Sequence, residues 1–280
     1  MRPHPILDGP GDAGPRIVTE STSQLVAHPA FHSAFLPGDR NLTIFLPPGY
    51  EASEERYPVL YLHDGQNLFD PEAAFVKGQH WRIGETATAL IEAGRIPPLL
   101  IVGIDNTGAR RLHEYTPTYD RRRGGGGAEA YGALIVRELK PFVDARYRTL
   151  PDAAHTGLGG SSLGALVSLY LGLEYPDVFS RLAVLSPSVW WDRRAILRNV
   201  RAAKPKPRLR IWVDIGTREG RYHVENARLL KVGLTRSGWV EGDDLHYEEI
   251  PDGTHSEGSW ADRFGRVLEF LFAPGPRGSG

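Results

Sequence analysis

The sequence predicts an α/β fold: a mostly parallel central sheet, helices on both faces, and an antiparallel edge formed by the N-terminal strands. Three observations carry the prediction. From about residue 57 onward, stretches of strand character alternate with stretches of helical spacing, the pattern of successive βαβ units. The run PLLIVGI at 98–104 is apolar without interruption, as in a strand covered on both faces. Finally, Gly160-Ser161-Ser162-Leu163-Gly164 is a G-x-S-x-G pattern followed by an apolar, small-residue stretch. That order reads as strand, sharp turn and buried helix.

The elements follow in chain order. Residues 1–15 are rich in Gly and Pro and are expected to be a flexible segment. Two strands are expected at 31–36 and 41–46, joined by the turn signal Pro37-Gly38-Asp39. A third strand, 57–63, ends at Asp64-Gly65. Helical spacing over 81–93 places Ile83, Ala87, Leu90 and Ile91 on one face. The apolar strand at 98–104 leads into a long polar segment, 105–127, of a length that is usually functional or unstructured. An amphipathic helix at 128–146 carries Tyr131, Leu134, Ile135, Leu139 and Val143 inward. The strand at 154–160 is weakly apolar and is assigned from its place before the sharp turn. Further strands are expected at 181–186, 208–215 and 245–250, with helices at 192–203, 223–237 and 256–271. Residues 16–273 thus read as one domain without an inserted cap, and 274–280 as a disordered tail.

Composition excludes several classes of function. The 280 residues are 41% hydrophobic, enough for one large core, and the net charge is -1. Such a balance offers no electrostatic basis for binding nucleic acid or an anionic membrane. The chain has no cysteine, which excludes disulfides, thiol nucleophiles and thiolate metal sites. No signal-peptide pattern opens the chain and no run is long enough to cross a bilayer; the expectation is a cytoplasmic protein. Oligomeric state is not encoded in any readable pattern.

The chemistry centres on Ser162. It alone fits the frame, since Ser161 has Gly159 two residues before it but Leu163 two residues after. A serine hydroxyl attacks a carbonyl usefully only when a base takes its proton and N–H donors receive the oxyanion. In open α/β sheets such partners come from loops at the carboxyl ends of strands. Of the 10 histidines, His255 follows the last expected strand and precedes the last helix, so it is the candidate base. The acid is expected between nucleophile and base in the chain. Asp214, at the end of the 208–215 strand, and Glu219, on the loop beyond it, both qualify. The backbone N–H of Leu163 supplies one oxyanion donor. The loop after the 57–63 strand supplies the other, at Gln66 or, as the weaker choice, Gly65. A dinucleotide fingerprint is excluded because Ser162 stands where the third glycine belongs. His63, Asp64 and His255 lack metal-ligand spacing, so neither metal nor cofactor is expected.

At this point the sequence resembles the putative-esterase family of α/β-hydrolases, which includes enterobactin, feruloyl and acetyl-xylan esterases and S-formylglutathione hydrolase. The matching segments are RNLTIFLPPGY at 40–50, YPVLYLHDGQNLFD at 57–70, the 160–164 turn, SPSVWWD at 186–192, GTRE at 216–219 and the His255 loop, spanning about residues 31–272. The resemblance implies ester hydrolysis through an acyl-enzyme on Ser162, with His255 as base and no cofactor. It places the acid at Glu219, where many members carry Asp. The segment DNTGARRLHEYTP at 105–117 resembles the loop that flanks the site in siderophore and sugar-ester members. It thereby nominates Arg110 and Arg111, with Gly65, Trp190 and Trp191, as substrate-binding residues. The substrate implied is a small acyl, sugar or siderophore-type ester. Transfer of the acyl group to an alcohol acceptor, and a non-catalytic binding protein that keeps the fold, are the alternatives.

Overall fold

The computed structural model describes residues 23–273; the expectations for 1–15 and 274–280 lie outside the described residues. The chain begins with β1 (Gln24–Phe31) and β2 (Arg40–Leu46), then β3 (Val59–His63), α1 (Ile83–Glu92) and β4 (Leu100–Ile104). The long polar segment holds α2 (Arg111–Glu114) and a short hairpin of β5 (Tyr119–Asp120) and β6 (Gly124–Gly125). The next helix is α3 (Ala128–Leu134), a wide π turn at Ile135–Leu139, and α4 (Lys140–Arg146). There follow β7 (Thr156–Ser161), α5 (Leu163–Glu174), β8 (Arg181–Leu185), α6 (Trp191–Arg194) and α7 (Ile196–Ala202). β9 (Arg210–Gly216), α8 (Arg221–Arg236), β10 (Leu245–Ile250) and α9 (Glu257–Phe272) complete the domain.

Eight strands form one sheet in the order β1-β2-β4-β3-β7-β8-β9-β10. β1, β2 and β4 pair antiparallel, and every pair from β4 through β3 to β10 is parallel. The predicted α/β class and its antiparallel N-terminal edge are therefore present. Side chains of β3 alternate between two cores, as the period of a strand requires. Val59 and Tyr61 face α3, α4 and α5, where Leu134, Leu139, Val143 and Leu166 cover them. Leu60 and Leu62 face α1 and α9, against Ile83, Ala87, Phe264 and Leu268.

The first strand is displaced from its expected place. It occupies Gln24–Phe31 rather than 31–36. Pro29 argues against a strand interior, but β1 is an edge strand, where a missing N–H leaves no ladder bond unmade. The pairing slips between His28 and Phe31, and Ala30 takes a positive φ of 54° there. Residues 33 and 34 are held by a helix instead: Glu138 accepts hydrogen bonds from the Ser33 hydroxyl at 2.5 Å and the Ala34 N–H at 3.0 Å. The 128–146 helix is interrupted by its π turn just before Pro141, whose ring cannot donate to the preceding turn. The 192–203 helix also starts irregularly, with Asp192 and Arg193 at positive φ.

The 105–127 segment is a folded flap. Glu114 is fully buried and receives Arg40 Nη1 at 3.1 Å. The indole N–H of Trp191 donates to the Thr118 carbonyl at 3.0 Å. These bonds fasten the flap across the carboxyl ends of the strands.

Candidate active site

Ser162 sits between β7 and α5 with φ 59° and ψ -119°, a conformation that non-glycine residues rarely adopt. Its own backbone N–H and carbonyl are both bonded. Its N–H donates to Leu185 O at 3.0 Å, and its carbonyl accepts from the N–H groups of Leu166 and Ser188, both at 3.1 Å. The two glycines of the pattern let the turn close: a Cβ on Gly160 would lie 3.3 Å from Gly164 C and 3.2 Å from His63 Cβ. The result is a serine held at the start of a helix, where N–H groups are unpaired. Its hydroxyl lies 3.3 Å from that of Ser188. No hydrogen bond joins Ser162 to His255 in this arrangement.

His255 lies on the loop between β10 and α9, its side chain 45% exposed, with Nδ1 2.7 Å from Glu219 Oε2. Its ring meets Trp260 edge-on at 4.9 Å. The side chain of Glu219 is 1% exposed. Its Oε1 accepts from the Gly216 N–H at 2.8 Å and the Ser186 hydroxyl at 2.5 Å. Burial opposes ionisation of this carboxyl. The hydrogen bonds from His255, Ser186 and Gly216 outweigh that cost and hold it below the usual glutamate range. An ionised carboxylate only accepts, so the His255 proton resides on Nδ1 and Nε2 is left as a base.

The loops bearing the two residues interlock. Thr217 N–H donates to Ile250 O at 3.0 Å and Arg218 N–H to Gly253 O at 2.9 Å. A Cβ on Gly216 would stand 2.2 Å from Gly253 O, so this approach requires glycine. Asp214, the other candidate acid, is elsewhere. It is fully buried and bonded to Arg263 through both oxygens at 3.0 Å, to Trp212 Nε1 at 2.8 Å and to the Ser186 N–H at 3.1 Å. Burial pushes its carboxyl up and Arg263 opposes the shift.

The loop after β3 turns at Asp64, which takes left-handed φ/ψ of 58° and 46°. Gly65 is pressed against β4, its would-be Cβ 2.7 Å from Gly103 C, so the turn requires a residue without a side chain there. Gln66 is only partly buried, and its side chain accepts from the Asn106 N–H at 3.2 Å. Among the described residues, neither the Gln66 N–H nor the Leu163 N–H has a protein acceptor.

Two of the expected substrate residues have structural duties instead. Arg111 forks onto Asp64 at 2.7 and 2.8 Å and lies over Tyr115, so its charge is already matched. Trp191 is 1% exposed and packs in the core. Arg110 is exposed, and Trp190 is half-buried with the Arg123 guanidinium 5.1 Å above its ring. Cavity volume would point away from all of this: a space of about 840 Å³ opens at the amino ends of β7, β8 and β9, lined by Ala154, Arg181 and Arg210. Its lining includes Ser180, Asp177 and Asp244 but no histidine to serve such a serine as base.

Sequence reasoning passed over Ser186, Ser188, Trp260 and Arg263. Arg263 left one trace: it falls on the apolar stripe of α9 defined by Trp260, Phe264, Val267 and Leu271, where a charge needs a buried partner. Ser186 opens the SPSVWWD segment that carries part of the resemblance, but nothing local assigns it a role, which depends on neighbours from three other segments.

A family model described as "Putative esterase" matches residues 33–271. The chain is 26% identical over 248 residues to the Uncharacterized protein YbbA of Bacillus subtilis, covering 84% of this chain and 93% of that protein. It is 31% identical over 159 residues to the ferri-bacillibactin esterase BesA of Bacillus subtilis, covering 51% of this chain and 52% of that protein. Among solved structures, an IroE-like serine hydrolase from Shewanella oneidensis superposes with a TM-score of 0.72 at 25% identity, over 89% of this chain and 80% of that one.

Proposed function

We propose a serine mechanism from one premise: the chain belongs to the putative-esterase family and is a carboxylic-ester hydrolase. The observation that carries the mechanism is the 2.7 Å contact of His255 Nδ1 with the buried Glu219. It leaves Nε2 as a base on the same sheet edge as Ser162. On substrate binding the Ser162 hydroxyl swings from Ser188 toward Nε2, a bond that often tightens only in the loaded site. Its oxygen attacks the ester carbonyl while Nε2 takes the proton. The oxyanion is received by the N–H groups of Leu163 and Gln66. Collapse expels the alcohol, which carries away the proton held by His255, and leaves an acyl-enzyme. Water then gives its proton to Nε2 and attacks the acyl carbon, releasing the acid and restoring Ser162. The half exposure of His255 favours water over a sequestered alcohol acceptor.

The substrate in this reading is a small acyl, sugar or siderophore-type ester. The name of the ferri-bacillibactin esterase supports the last of these. Within the site, Trp190 and Arg110 have an accessible face or charge to offer such a group, and Arg111 does not. A fluorophosphonate probe followed by peptide mapping tests the nucleophile. Labelling at Ser162 is expected, and an unlabelled, folded protein would turn the reading toward a binding protein.

A further inference from the structure

The hydroxyl of Ser186 is bonded on every side, and the donors around it fix where its proton goes. Ser186 follows β8 with φ 44°. Its Oγ lies 2.9 Å from Trp260 Nε1 and 2.8 Å from Arg263 Nη2. An indole N–H and a guanidinium can only donate, so they take up both lone pairs of the oxygen. The one remaining polar contact, 2.5 Å to Glu219 Oε1, must then receive the Ser186 proton. Arg263 cannot turn away. It is 1% exposed, clamped by Asp214 through two bonds of 3.0 Å, and bonded to Ser259 O and Oγ at 3.0 and 2.9 Å.

We propose that Ser186 and Arg263 are positioning residues for ester hydrolysis: Arg263, anchored by Asp214, aims the Ser186 hydroxyl at Glu219 and so holds the carboxylate in the rotamer that meets His255. This rests on the assignment of Glu219 and His255 given above. The geometry supplies the reason such a device is needed. Arg263 Nη2 is 3.9 Å from Glu219 Oε1, so the buried cation competes with His255 for the same carboxylate. The Ser186 hydroxyl stands between them and converts that attraction into a relayed hydrogen bond. Trp260 joins the two halves, since the same indole that donates to Ser186 supports the His255 ring. The charged groups bonded into this cluster are Asp214 and Arg263, and the exposed Arg218–Asp252 pair links the two loops at 2.7 Å.

Ser186→Ala and Ser186→Gly test the proposal together. Both delete the hydroxyl, whereas glycine tolerates the positive φ freely; a loss shared by both belongs to the hydroxyl and not to the backbone. The expected loss is about 10- to 100-fold in kcat, the worth of one hydrogen bond to a charged group, with KM for a p-nitrophenyl ester unchanged. With Arg263 free to draw Glu219 away, the imidazolium loses its counter-ion, so the acid limb of the kcat/KM profile moves to lower pH in both variants. Wild-type kcat in the variants, or a lower kcat with an unmoved acid limb, would overturn the proposal. Glu219→Gln, measured alongside, separates the two assignments. If it is inactive while the Ser186 variants are normal, only the positioning role fails; if it is fully active, the underlying acid assignment fails.

Discussion

His255 Nδ1 and Glu219 Oε2 meet across 2.7 Å with the carboxylate buried and the imidazole half exposed. The imidazole thus opens toward solvent while the carboxylate side chain is held inside the protein. Asp214, five residues before Glu219, is spent on Arg263.

Glu219→Gln is expected to lower kcat by about 10²–10⁴, because an amide leaves His255 in the wrong tautomer. Asp214→Asn is expected to cost roughly 3–5 kcal/mol of stability, because it leaves the buried Arg263 cation unmatched. Turnover and urea unfolding of both variants decide between them. Full activity in Glu219→Gln together with an inactive but stable Asp214→Asn would exchange the two roles.

Ser162→Ala is expected to lower kcat for a p-nitrophenyl ester by about 10⁶, the scale of removing a nucleophile that acts with its partners as a unit. Ser188→Ala, which removes the present partner of the Ser162 hydroxyl, is expected to cost less than about tenfold, as a single neutral hydrogen bond would. A loss of only about tenfold in Ser162→Ala would show that Ser162 is not the attacking group.

Gly216→Ala is expected to unfold the join between the two site loops. The new methyl carbon would lie 2.2 Å from Gly253 O and 2.4 Å from Gly253 C, and backbone cannot yield as a flexible side chain does. Both the thermal midpoint and the activity should fall together. A stable, active variant would mean the loops have room to separate.

His63 predicts acid sensitivity. Burial, only partly opposed by Asp64, lowers its pKa from 6.5 to about 3. The unfolded chain therefore binds a proton that the folded one refuses. Stability falls as pH drops from about 6.5 toward 3, by up to about 1.4 kcal/mol per pH unit from this group. His63→Gln should flatten the dependence of the unfolding midpoint between pH 7 and pH 4. Parallel curves for the variant and the parent would assign the acid sensitivity to other groups.

The sequence by itself determined the class of the fold, most of its elements and the candidate nucleophile. Those features are local: alternation over a few residues marks a strand, spacing of three and four marks a helix, and Gly160, Ser162 and Gly164 carry their turn within five positions. Even the weak strand at β7 was legible, because the turn after it needs one. β1 lies earlier in the chain than expected, and Pro29 is tolerated within it because the strand stands at the sheet edge. Which carboxylate meets His255 was decided in three dimensions, where Gly216 and Gly253 bring two loops into contact. The fates of Arg111 and Trp191 were decided there too, by Asp64 and by the core. A charged or aromatic side chain has the same intrinsic chemistry in every context, so its sequence cannot say whether a partner already occupies it. Ser186 shows this most plainly: its proton is directed by Trp260 and Arg263, residues more than 70 positions away.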